Sequence, residues 1–90
     1  MSFEAITNYY EKPVFERLTA EVGDVYRDDP DTLADIACVA LNSLPPRYIR
    51  HQVDMAFYIS SAEREHMEKT IEEAVQDAIE FVRLRSTGKD

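Results

Sequence analysis

Ninety residues with 18 acidic and 10 basic side chains, a net charge of −8, make one small domain over residues 1–90. That charge opposes docking on DNA, RNA or anionic lipid, each of which rewards a basic face. The single cysteine, Cys38, excludes an intrachain disulfide, and one Cys with two His cannot complete a four-ligand structural zinc site.

A core of this size lies at the low end of what folds alone. With no disulfide and no metal in view, a second subunit is the expected source of extra stability, so the chain is read as a homodimer. The first residues lack a basic segment followed by an apolar run, which argues against a secretory signal. No stretch approaches the roughly 18 consecutive apolar residues of a membrane span. The expected location is the cytoplasm.

Three helices and one short extended segment are predicted in chain order. Ile6, Tyr10, Val14, Leu18 and Val22 recur every four residues, with Phe3 and Phe15 beside the stripe, as on a helix with one apolar face. Pro13 falls inside that pattern and should bend the helix near Tyr9 and Tyr10. Asp29 followed by Pro30 has the form of an N-cap with proline at the first helical position. Leu33, Ile36, Ala37, Ala40, Leu41 and Leu44 then form a second stripe, whose small residues admit a close helix neighbour. Cys38, in the same apolar run, is expected to be a buried, reduced thiol. The helix should end at or just before Pro45.

After the two prolines comes the most unusual stretch, Leu44-Pro-Pro-Arg-Tyr-Ile-Arg-His-Gln52. It crowds Arg47, Arg50 and His51 around Tyr48 in an otherwise acidic chain. Restriction of the backbone by Pro45 and Pro46 lowers the entropy that binding must remove. An arginine fork binds phosphate bidentately or stacks on a flat ring, and Tyr48 adds an aromatic face. Asp54 offers a carboxylate for the amine and ring N–H of a base. These are the parts a small anionic nucleotide needs. The plainer reading is that Arg47 and Arg50 balance acidic helices while Tyr48 fills the core.

Val53, Met55, Phe57 and Ile59 alternate with Asp54, Ala56 and Tyr58, the period of a half-buried strand. This segment either pairs with its symmetry mate across the dimer or is extended coil. Ser60 and Glu63 have capping-box spacing at the start of the third helix. Met67, Ile71, Ala74, Val75, Ala78, Ile79, Phe81 and Val82 give that helix an apolar face wide enough for its own core and a second subunit.

No combination of Ser or Cys, His and acid stands out for nucleophilic catalysis, and the chain is read as non-enzymatic. Glu63 and His66 have the Glu-x-x-His spacing of di-iron bundles. Glu63 is already accounted for as a cap, and His66 sits among Glu65 and Glu68 as on a solvated face, so no metal is assigned.

The run Asp35 to Ile49, DIACVALNSLPPRYI, resembles the central signature of the late competence development protein ComFB family. The matching positions are Asp35, Ile36, Leu41, Asn42, Leu44, Pro45, Pro46 and Tyr48. The run NYYEKPV is similar to the family's N-terminal signature, with Asn8, Glu11 and Val14 in place. The resemblance implies a small, mainly helical, dimeric cytoplasmic protein. The family includes receptors for cyclic di-GMP, a ligand the Arg, Tyr and Asp cluster could hold, with Asn8 and Glu11 contributing. Some members carry a zinc-binding cysteine cluster before the Asp-Ile helix. This chain has GDVYRDDPDT there, so zinc is not carried over. Two functions are expected: a cyclic di-GMP receptor controlling competence, pili or motility, or a ligand-free module docking on a component of such a system.

Overall fold

A computed structural model describes residues 3–51 and 58–87. Three α-helices dominate: α1 over Glu11–Val22, α2 over Pro30–Asn42 and α3 over Ser61–Thr87. A two-residue antiparallel ladder joins β1, Thr7–Asn8, to β2, Tyr48–Ile49, with Thr7 opposite Ile49 and Asn8 opposite Tyr48. The domain is mainly α.

The first helix is shorter than its periodicity predicts. Its first i to i−4 bond runs from the Val14 N–H to the Tyr10 carbonyl, 3.1 Å. Pro13 therefore lies in the first turn, where a backbone donor has no partner within the helix, and it bends nothing. Extending the helix back to Ile6 would put Pro13 in the interior, at a cost of about 3 kcal/mol. Phe3–Ala5 form one 3₁₀ turn instead, Ile6 is exposed, and Thr7 and Asn8 pair with the chain beyond Pro46.

The second helix begins as its sequence predicts. The Asp29 carboxylate accepts from the Thr32 N–H at 3.2 Å and from the Thr32 hydroxyl at 2.6 Å, with Pro30 opening the helix. Ser43 closes it two residues before Pro45, its N–H reaching the Ala40 carbonyl at 3.2 Å. At the start of α3, the Ser60 hydroxyl accepts from the Glu63 N–H at 3.1 Å, half of the expected capping box.

One core joins the three helices. Val14 and Leu18 come from α1, Ile36 and Ala40 from α2, and Met67, Ile71, Ala74, Val75 and Ala78 from α3, with Tyr10 and Leu44 closing the ends. A polar seam runs beside it. Arg17 bonds Glu21 at 3.0 Å and Glu72 of α3 at 2.8 Å, while Gln76 donates to the other Glu21 oxygen. At about 1.5 Å per residue, the 27 residues of α3 extend roughly 40 Å, twice the length of either partner helix. Its last turns overhang, leaving Phe81 exposed under the Arg85 guanidinium at 5.4 Å.

Two further expectations change. Cys38 is exposed, because it lies two residues after Ile36 and so on the far side of α2 from the core face. Most of α3's apolar face is consumed by its own core, so its excess is confined to the overhanging end. The strand expected over 53–59 falls largely outside the described residues. The pairing that is described is within one chain, at Tyr48–Ile49.

Hydrogen bonds from Thr32 hold the Asp29 carboxyl below its ordinary value of 3.8. A lowered folded-state pKa contributes stability that is complete above 3.8 and lost as pH falls through the folded value. Asn retains the cap geometry without the charge. In urea titrations, the advantage of wild type over Asp29→Asn should be constant from pH 7 down to about 4.5 and shrink as the pH falls below 3.8. An advantage that is unchanged at low pH would show that the charge is not what Asp29 supplies.

A pinned basic turn as the candidate functional site

The basic turn is fastened by its backbone. The Asn8 side-chain oxygen accepts from the Arg47 N–H at 3.0 Å and from the Tyr10 N–H at 3.3 Å. The Arg47 carbonyl in turn accepts from the Tyr9 N–H at 2.6 Å. Both polar groups of the Arg47 backbone thus bond to the segment that leads into α1. The same oxygen replaces a side-chain N-cap, which Tyr10 lacks. Asn8 is the residue that joins the two halves of the site.

With the backbone held, strand alternation distributes the side chains. Ile49 packs on the core, so Tyr48 falls on the opposite, solvent side. Tyr48 is 69% exposed, which overturns the reading that it fills the core. Arg47, Arg50 and His51 are exposed as well. The Arg50 Nε donates to the His51 Nε2 at 3.2 Å.

Arg47 is not wholly open. Its guanidinium lies 3.8 Å from the Glu63 carboxylate at the start of α3, both side chains being more than two-fifths exposed. Such a pair is worth little, and an incoming anion can replace it. Tyr10 lies within the influence of both charges. Burial pushes its hydroxyl above the usual range, and Arg47 partly offsets this, so the phenol stays protonated near neutral pH.

The chain belongs to the ComFB family. Residues 7–86 match the family model described as late competence development protein ComFB, which is most of the chain. Comparison with curated proteins gave no match, and neither did comparison with solved structures.

For this family member, the structure brings Asn8, Arg47 and Tyr48 together through the β1–β2 ladder, with Arg50 and His51 following directly. Glu11 enters from α1. With Asn8, Thr7, Lys12 and Phe15 it lines a shallow groove of about 310 Å³. Asp54 lies outside the described residues. Two further residues belong to this region. Lys12 supplies a cation in the Asn8–Glu11 groove, and it was in plain view within the NYYEKPV run. Glu63 pairs with Arg47, a long-range contact that no local spacing reveals. Among the described residues, no three His, Cys, Asp or Glu side chains gather into a set that could hold a metal, and none does so around Glu63 and His66. No helix among the described residues is long and apolar enough to cross a membrane.

Replacing Asn8 by Ala leaves two backbone donors without their acceptor, a loss of about 1–3 kcal/mol. Amide exchange followed by NMR should show the Arg47 and Tyr10 N–H groups exchanging much faster in Asn8→Ala, with core amides such as Val75 accelerated only in proportion to the global loss. Unchanged protection at Arg47 would mean that the turn is fixed by something other than Asn8.

Proposed function

We propose that this chain is a non-enzymatic cytoplasmic receptor for cyclic di-GMP, acting as a homodimer in the control of competence, pili or motility. The observation that carries the reading is the exposed Arg47, Tyr48, Arg50 and His51 on one backbone-pinned turn of a chain with net charge −8. A concentration of cations and an aromatic face on an acidic surface selects a small anion with flat rings over a polyanion, which the remaining surface repels. Membership in the ComFB family agrees with a role connected to competence.

In this reading, Arg47 and Arg50 meet the ligand's phosphates or stack on guanine. Tyr48 stacks beside them, and His51 releases Arg50 to the ligand. Asp54 reads a guanine edge. Asn8 and Glu11 contribute from the α1 entry, Asn8 chiefly by holding the turn. The ligand's two-fold symmetry suits a pair of subunits offering identical residues. No bond is made or broken. Binding biases the conformation or the surface seen by a downstream protein.

A second reading is a ligand-free module docking on a competence, pilus or motility component. It is favoured by the exposed Phe81 and Leu84 at the overhanging end of α3, an anchor suited to a protein partner.

Isothermal titration with cyclic di-GMP, using GTP and cyclic di-AMP as controls, separates the two. The receptor reading expects saturable, guanine-selective binding and a melting temperature that rises with saturation. Arg47→Ala and Arg50→Ala should each bind more than tenfold more weakly, about 1.4 kcal/mol or more, with helical content unchanged. No heat and no selectivity would reject the receptor. Wild-type binding in both variants would reject these arginines.

A further inference from the structure

We propose that Glu63 is a two-position counter-ion of the basic turn. Its carboxylate holds Arg47 until an anion takes that arginine, and it then turns back to complete the cap of α3 at Ser60. The inference rests on the receptor reading above for the identity of the anion. It adds the route by which an occupied site is felt by a helix.

Glu63 has two competing partners. Ser60 and Glu63 have the spacing of a capping box, in which the serine oxygen accepts the Glu63 N–H and the Glu63 carboxylate accepts the Ser60 N–H. The structure makes the first bond, at 3.1 Å. Among the described residues, the second is not made. The carboxylate instead lies 3.8 Å from the Arg47 guanidinium. Ser60 is nevertheless in the N-cap position, since its carbonyl accepts from the Arg64 N–H at 2.9 Å. One acceptor with two alternative donors is a two-state element, and its states differ by side-chain rotation alone.

The two states are close in energy, as a switch requires. Both side chains of the Arg47–Glu63 pair are more than two-fifths exposed, so the pair contributes little. Ser60 is exposed as well, so neither position carries a large desolvation cost. A ligand that binds Arg47 shifts this balance by as much as the pair was worth and no more.

The fixed groups decide which group moves. The Arg47 backbone bonds through its N–H to Asn8 at 3.0 Å and through its carbonyl to Tyr9 at 2.6 Å. The turn therefore stays in place when an anion arrives, and the carboxylate is displaced. A phosphate and the Glu63 carboxylate compete for one cation and repel each other. A neutral ligand does neither, so Glu63 also screens ligands by charge. The released carboxylate lies in the first turn of α3, where the helix dipole and the Ser60 N–H both favour it. That helix sends Met67, Ile71 and Val75 into the core, which places its first turn to pass the change to the body of the domain.

The test uses the full chain and reads exchange of the Ser60 N–H by NMR and cyclic di-GMP affinity by titration. Gln keeps a capping-box acceptor and loses the charge. Without ligand, the Ser60 N–H should exchange about twofold or more slowly in Glu63→Gln and in Arg47→Gln than in wild type. The effect of Arg47→Gln should vanish when Glu63→Ala is combined with it. With cyclic di-GMP, wild type should show the same slowing, whereas Glu63→Ala should show none. Affinity should rise about two- to fivefold in both Glu63 variants, the range set by an exposed ion pair. Unchanged Ser60 exchange in Arg47→Gln would overturn the switch, whether or not any nucleotide binds. Affinity that is unchanged or lower in both Glu63 variants, with wild type binding, would overturn the counter-ion. A wild type that does not bind cyclic di-GMP would reject the receptor reading alone, and the ligand-free Ser60 comparison would still decide the switch.

Discussion

One side-chain oxygen, that of Asn8, accepts the N–H of Arg47 and the N–H of Tyr10, and the arrangement of the basic turn depends on it. The bond to Tyr10 sets where α1 begins, since no side chain at Tyr10 itself caps the helix. The bond to Arg47 draws a segment 39 residues away onto the same spot. Pro45 and Pro46 restrict the approach, and the β1–β2 ladder completes the join. From this constraint follow the outward aim of Tyr48, the inward aim of Ile49 and the exposure of the two arginines.

The surroundings are built to display charge, not to bury it. Arg47 and Glu63 meet at 3.8 Å in partly solvated positions, where a pair contributes little and reopens readily. A buried pair would have been costly to separate. The acidic surface elsewhere makes the turn a local exception in charge. The apolar surfaces are kept apart from it. The core occupies one side of α2, while an uncharged groove lined by Ala34, Cys38 and Phe15 occupies the other.

The sequence reads well wherever the determining interaction is local. Asp29–Pro30 and Ser60–Glu63 mark helix starts because each cap lies within one turn of what it caps. The core positions of α2 and α3 follow from period alone. The reading fails where distant segments compete. Four-residue spacing from Ile6 to Val22 is a valid helical pattern, but Pro13 tolerates only a first-turn position, and the partner that claims Thr7 and Asn8 lies beyond Pro46. Cys38 was misplaced because an all-apolar run does not say which side is inside. The candidate site was legible as a composition, Arg47 to His51 with Tyr48. That Asn8 is its fastener, and Glu63 its neighbour, depends on contacts across 39 and 16 residues, which no window of sequence contains.

The central claim is that a turn held by Asn8 presents the basic cluster in a binding-competent form. Its most direct test is a comparison of cyclic di-GMP affinity between wild type and Asn8→Ala, at a temperature where circular dichroism shows both fully helical. The account predicts that the variant binds at least tenfold more weakly while Arg47, Tyr48 and Arg50 are all still present. Equal affinity in the two proteins would contradict it, since the cluster would then work without the bond on which its geometry is said to depend.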